Sequence, residues 1–345
     1  KDFFIDTYQV YLARYYGADA ILLMLSVLSD AEYKELAEVA ERYNLAILTE
    51  ISNDEELERA IALNSKVIGI NNRNLRDLST DISRTFEYAP NIPDDRIILS
   101  ESGIYTNEQV RELAPAVDGF LVGSSVMAKE DIDLACRQLI FGQNKVCGLT
   151  TPEHAEAVSK AGAVYGGLIF AEKSTRYINE LQALAITQQA PSLNYVGVFV
   201  NEALDNVSQL ASALALSAVQ LHGQEDQCYI DELKGKLPKT CQVWKAISVA
   251  DTAPDLSVQA EHYVLDGKNA GSGETFNWQI LSTSEQDLST SFLAGGLGEE
   301  NIEQALTTLT THDLFGLDLN SGVESSPGVK CENKIKRIFS HIRNY

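Results

Sequence analysis

Basic residues are scarce in this chain. Its 27 lysines and arginines face 49 aspartates and glutamates, a formal net charge of −22. A surface of that sign repels a phosphate backbone, so nucleic acid is not an expected partner. One phosphorylated metabolite stays compatible, because backbone N–H groups and one or two cations bind it locally. Cysteine is sparse as well. Cys136, Cys147, Cys228, Cys241 and Cys331 form no C-x-x-C pair, and an odd, scattered set suits a reducing cytoplasm better than a disulfide framework. No apolar run reaches the roughly 18 residues of a membrane span, and no signal peptide is visible. No His/Cys/Asp group has metal-ligand spacing and no G-x-G-x-x-G opens a dinucleotide unit, so neither metal nor cofactor is expected. The chain also lacks an initiating methionine. It opens at Lys1 inside what reads as a structural unit, so it reads as a fragment.

What the sequence does have is repetition. Thirteen short apolar runs end in glycines, serines, carboxylates, amides or a lone cysteine, with polar stretches of helical spacing between them. Five precede residue 145: AILLMLS, AILTEIS, VIGINNR, IILSESG and GFLVGSS. Eight follow: KVCGLT, YGGLIF, YVGVFV, AVQLHG, QVWKAIS, HYVLDG, SFLAGGL and LFGLDLNS. Near-continuous apolar strands suit parallel sheets covered on both faces. Functional residues at strand C-termini are the signature of a (β/α)₈ TIM barrel. The expected architecture is α/β, two such barrels in tandem. Residues 144–345 hold a complete one. Residues 1–143 hold an incomplete one that lacks its first two strands and most of the third, with KDFFID as a strand end.

Within the second barrel, Cys147 in KVCGLT and Asp266 in HYVLDG point toward one mouth. A thiol whose pKa falls from about 8.5 toward neutrality acts as a general base. A carboxyl shielded from water stays protonated and acts as an acid. Taken singly, Cys147 reads equally as a small core residue and Asp266 as a cap. Gly295 and Gly296 in LAGGLG, with Ser321 and Gly322 in LNSGVES, follow strands seven and eight, where barrels often bind phosphate. Gly103, Gly123 and Ser124 repeat that pattern in the first unit. Arg176, in the polar loop 171–178, suits a bidentate grip on a substrate carboxylate, or a solvated surface. Lys1, Glu50, Asn71 and Glu101 end successive strands of the first unit, as acid/base candidates or as caps and ion pairs. His222 in QLHG reads as structural.

At these residues a family resemblance becomes close. KDFFID, LLMLSVL, LTEIS, GINNRNL, SESGI and GFLVGSSVMA resemble the C-terminal two-thirds of indole-3-glycerol-phosphate synthase. KVCGLT, YGGLIF, STRYI, YVGVFVNE, AVQLHG, VWKAISV, AGSGETFNW, LAGGLG and LDLNSGVESSPGVK resemble phosphoribosylanthranilate isomerase. The resemblance implies two successive steps of tryptophan biosynthesis on phosphorylated anthranilate substrates, by a monomeric, cofactor-free, cytoplasmic enzyme. It implies that Asp266 opens the furanose as acid, that Cys147 removes the C2′ proton, and that Arg176 holds the anthranilate carboxylate. In the first unit it makes Lys1, Glu50 and Glu101 catalytic, with Asn71, Arg73 and Ser102 binding substrate. The glycine and serine loops would hold phosphate in both units. The family's first strand supplies a glutamate and a second lysine that this chain does not contain, so synthase turnover is not expected from it. The alternative is a phosphate-binding barrel whose first half is a non-catalytic appendage.

Overall fold

The computed structural model describes residues 3–74, 77–267 and 275–344. Lys1 and most of the Gly-rich stretch after Asp266 lie outside the described residues. The chain forms two compact units that divide after Ile132.

The first unit is an open sheet of five parallel strands in sequential order. These are β1 (Ala20–Met24), β2 (Ala46–Ile51), β3 (Val67–Asn71), β4 (Ile97–Glu101) and β5 (Gly119–Leu121). All five come from the five apolar runs. Helices such as Asp30–Arg42 and Asp54–Ala62 cover one face, burying Tyr33, Leu36, Val39, Leu57 and Ala60 against Ile21, Leu23, Ile51 and Ile70. Polar starts are written locally. Ser29 and Glu32 form a capping box at one helix, and Asn53 caps the next. One expectation fails. Phe3–Ile5 is not a strand. Asp6 instead accepts from Tyr8 N–H and caps the helix Thr7–Tyr15, so the chain turns into a helix at this point.

The second unit is a closed barrel of eight parallel strands. Its strands are β6 (Gln143–Val146), β7 (Tyr165–Ile169), β8 (Asn194–Phe199), β9 (Ala218–Leu221), β10 (Gln242–Val249), β11 (His262–Gly267), β12 (Ser291–Leu293) and β13 (Gly316–Leu319). Leu317↔Asn144 and Leu319↔Val146 close the ring. Side chains alternate along each strand. Val146, Leu168, Val219, Tyr263, Leu265 and Leu317 face the helices, whereas Tyr165, Val196, Ala218, Trp244, Val264 and Phe292 fill the interior. Trp244 stacks on Phe292 at 4.8 Å, with Tyr165 edge-on to Trp244 at 5.0 Å. This aromatic layer fills the N-terminal part of the barrel interior, and the cavity among the described residues opens at the C-terminal mouth. Trp244→Ala would cost about 3–5 kcal/mol.

Two features were not foreseen. A hairpin, β14 (Glu324–Ser326) with β15 (Val329–Lys330), sets Glu324 opposite Lys330. The helix Ile132–Phe141 packs into the second unit. The Arg137 guanidinium donates to Ala163 O and Ser192 O, and the Phe141 ring lies edge-on to Phe339 and against Gly162. By its contacts this helix belongs to the second compact unit, which begins at Asp133.

Candidate functional site

The mouth of the second barrel encloses a cavity of about 340 Å³. Cys147, Asp266, Arg176, Gly295, Gly296 and Ser321 all line it, so most of the expected constellation shares one space. Cys147 follows the last residue of β6, and its N–H donates to Leu319 O at 2.7 Å. Its thiol fits because β7 has glycine alongside: a Cβ on Gly167 would sit 2.7 Å from Cys147 Sγ. The YGGLIF run thus carries a spatial requirement, not only a turn preference.

The protonation states are set by burial. Burial pushes the Asp266 carboxyl up to about 6, aided by Asp318 and opposed by the Gly267 N–H and by Lys145. That brings the acid close to neutrality, although most of it is ionised at pH 7. Cys147 departs from expectation. Burial raises the thiol, Asp318 adds to this, and the nearby Lys145 and Lys330 ammonium groups offset it only partly. The thiol is therefore the resting form, with its pKa above rather than below the ordinary value. His222 also lines the cavity, with Nε2 3.9 Å from Asp266 Oδ2. Burial holds its imidazole below the usual range, so it is neutral.

Arg176 is buried and already engaged. Its Nε and Nη2 donate to Glu324 Oε1 and Oε2, both at 2.8 Å, and Lys330 Nζ also donates to Glu324 Oε1. The Nε/Nη2 fork expected for a substrate carboxylate is spent on Glu324, which leaves the Nη1 side for any anion. The Arg176 stem crosses Gly148, where φ is +74° and a Cβ would meet Cδ at 2.7 Å. The anion loops are tight: Gly295 and Gly296 have φ of +84° and +61°. Asn301 ties them, accepting from Gly298 N–H and donating to Gly296 O. Gly322 does not line the cavity. It is the contact point between the two loops, since a Cβ there would lie 1.9 Å from Leu297 O.

In the first unit, β2, β3 and β4 bring Glu50, Asn71 and Glu101 together. Asn71 Nδ2 donates to Glu50 Oε1 at 2.9 Å, and its Oδ1 accepts from Arg73 N–H. Glu101 lies across Gly69, where a Cβ would sit 1.8 Å from its Oε1. Ser102 and Gly103 both take positive φ, +67° and +76°. Gly123 precedes the single turn Ser124–Met127, and Ser125 Oγ donates to Ile104 O, which joins the loops after β4 and β5.

Sequence reading missed the interior polar residues Lys145, Gln220 and Asp318, and the Glu324–Lys330 pair. The one available signal was spacing: Lys145 stands two before Cys147, hence on the same face of its strand.

Comparison with known proteins agrees with this division of labour. Residues 1–139 match the family model of indole-3-glycerol phosphate synthase, and residues 144–341 match that of N-(5′-phosphoribosyl)anthranilate isomerase. The chain is 51% identical over 350 residues to the tryptophan biosynthesis protein TrpCF of Vibrio cholerae, covering 100% of this chain and 73% of that one. It is 51% identical over 346 residues to the TrpCF of Yersinia pestis, covering 100% of this chain and 71% of that one. Among solved structures, a phosphoribosyl anthranilate isomerase from Thermus thermophilus superposes with a TM-score of 0.52 at 31% identity, covering 59% of this chain and 98% of that one. With two family models in tandem and half its residues shared with those relatives, the chain belongs to the TrpCF family of tryptophan biosynthesis proteins.

Proposed function

We propose that the second unit isomerises N-(5′-phosphoribosyl)anthranilate to the corresponding 1-deoxyribulose phosphate, an Amadori rearrangement in tryptophan biosynthesis. Asp266 gives its proton to the ring oxygen as the C1′–O bond breaks, and the nitrogen lone pair forms the iminium. Cys147, as thiolate, takes the C2′ proton, and the C–H electrons form the enaminol. Loss of the enol proton and protonation at C1′ complete the ketone. Arg176 offers its Nη1 side to the anthranilate carboxylate, and the loops at Gly295–Gly296 and Ser321 receive the phosphate. The observation that carries this reading is a carboxyl held near pKa 6 in one cavity with a buried thiol.

The first unit fits the following step, ring closure with decarboxylation and dehydration to indole-3-glycerol phosphate. Glu50 and Glu101 serve as acid/base and cation-stabilising groups there, with Asn71 positioning Glu50. Its five strands leave β1 and β5 as the two edges of the sheet.

The test is anthranilate fluorescence with substrate formed in situ from anthranilate and ribose 5-phosphate. Fluorescence falls when this chain is added, and Cys147→Ala slows the fall by about 10²–10⁴-fold. A chain that leaves the substrate unconsumed, or Cys147→Ala at full rate, overturns the assignment.

A further inference from the structure

Two buried oxygens without a hydrogen-bond partner belong to residues that line the cavity. They are Gln220 Oε1 on β9 and Asp318 Oδ1 on β13. The residues are 2% and 7% exposed. Asp318 spends its other oxygen, Oδ2, on Lys145 Nζ at 2.7 Å. Gln220 and Asp318 come from alternate strands, with Val264 of β11 between them, as one interior layer of a barrel requires. Leaving a buried acceptor unsatisfied is unfavourable, so a fold that carries two of them on residues lining one cavity is organised for donors that arrive with a ligand.

The chemistry of those donors is narrow. A phosphate and a carboxylate bring acceptors and negative charge, so neither belongs beside the Asp318 carboxylate. An aryl ring brings nothing polar and suits the wall formed by Ile169, Ala171, Val198 and Val200. Hydroxyl groups on the carbon chain between phosphate and amine are the donors that remain. Resting on the function proposed above, we infer that Gln220 Oε1 and Asp318 Oδ1 accept hydrogen bonds from the two free sugar hydroxyls, at C2′ and C3′. The site thereby selects a ribosyl over a deoxyribosyl substrate. The Lys145 ammonium fixes the Asp318 carboxylate with one oxygen turned toward the cavity.

The experiment pairs enzyme variants with substrate analogues on the full chain. Anthranilate is condensed with ribose 5-phosphate, 3-deoxyribose 5-phosphate or 2-deoxyribose 5-phosphate. The 3′-deoxy glycoside is assayed as substrate. The 2′-deoxy glycoside, which has no hydroxyl to become a ketone, is assayed as a competitive inhibitor. Wild type should lose on the order of 10- to 100-fold in kcat/KM or in inhibitor affinity when a contacted hydroxyl is removed. Gln220→Met and Asp318→Asn should each lose a similar factor on the complete substrate. For each variant, one of the two deoxy compounds should erase that penalty to within about threefold of wild type, because the bond is already missing. Penalties that persist undiminished on both analogues, for both variants, overturn the inference. Gln220→Met decides if Asp318→Asn melts early, since Gln220 Oε1 has no protein partner to lose. A wild type inert on the complete substrate would instead defeat the functional reading beneath it.

Discussion

Lys145 Nζ and Asp318 Oδ2 meet at 2.7 Å inside the second barrel, where Lys145 has no exposed surface at all. Asp318 lines the cavity, Lys145 stands two residues along its strand from Cys147, and the ammonium charge pulls the thiol pKa down. Removing one partner strands the other charge. Lys145→Met should therefore destabilise the second unit by about 3–5 kcal/mol. It should also raise the thiol further, because Lys145 is the main influence pulling it down. Alkylation of Cys147 by iodoacetamide at pH 8, followed by peptide mass spectrometry, should slow relative to wild type. An unchanged rate would show that the ammonium does not act on the sulfur.

The pH profile follows from the same groups. Asp266 lies near 6 and Cys147 above its ordinary value, so the carboxyl loses its proton before the thiol does. The reacting form, neutral Asp266 with Cys147 thiolate, carries one proton in total. It shares its pH dependence with the dominant form, ionised Asp266 with neutral thiol. kcat/KM should thus trace a bell with its acid limb near pH 6 and its basic limb above about 8.5, the usual thiol value. A profile that keeps falling from pH 5 to pH 8 would mean that Asp266 titrates without its partner.

Asp266 also links pH to stability. Its folded pKa of about 6 exceeds the ordinary 3.8, so the native state holds its proton more tightly than the unfolded chain. The stabilisation is fully present below pH 3.8 and is lost as pH rises through 6. Asp266→Asn keeps an oxygen for the Gly267 N–H and removes the charge. At pH 7.5 it should raise the stability of the second unit by roughly 2–3 kcal/mol, while activity falls. At pH 4 the gain should shrink to little. Denaturant titrations at the two pH values check this.

Gly69 offers a test within the first unit. A methyl group there would occupy the space of the Glu101 carboxylate, at 1.8 Å from Oε1. Gly69→Ala should cost about 1–3 kcal/mol through overpacking. Gly119→Ala, where the nearest atom is the Leu99 Cδ2 methyl at 3.1 Å, should cost less. Equal melting shifts for the two would show that Glu101 yields freely.

Much of this arrangement was legible from particular residues. Each of the thirteen apolar runs became a strand because an unbroken apolar segment between polar helices has no other way to bury itself. Cys147 and Asp266 were legible as a pair at two strand ends, although each taken singly suits a core residue or a cap. Lys145, Gln220 and Asp318 did not, because a polar residue inside a parallel strand looks alike whether it faces a cavity or a helix. Only ring closure, through pairs such as Leu317↔Asn144, fixes which face is interior. The Glu324 grip on Arg176 was illegible for a related reason: 148 residues separate the partners, and the hairpin that presents Glu324 has no periodic signature.

The helix Ile132–Phe141 shows the same limit at the level of units, since it matches the synthase family model up to residue 139 yet carries its buried contacts in the isomerase barrel. Arg137 is the residue that decides its allegiance. Its guanidinium satisfies two carbonyls, Ala163 O and Ser192 O, just before β7 and β8, and its Nε pairs with Asp133 at 3.0 Å. Arg137→Met retains most of the apolar stem and strips both carbonyls of their donor. At about 1–3 kcal/mol for each buried group left unpaired, the second unit should lose about 2–5 kcal/mol. Hydrogen exchange followed by peptide should show faster exchange across 143–344, with peptides from 3–131 unchanged. Faster exchange confined to the first unit would return the helix to the synthase side.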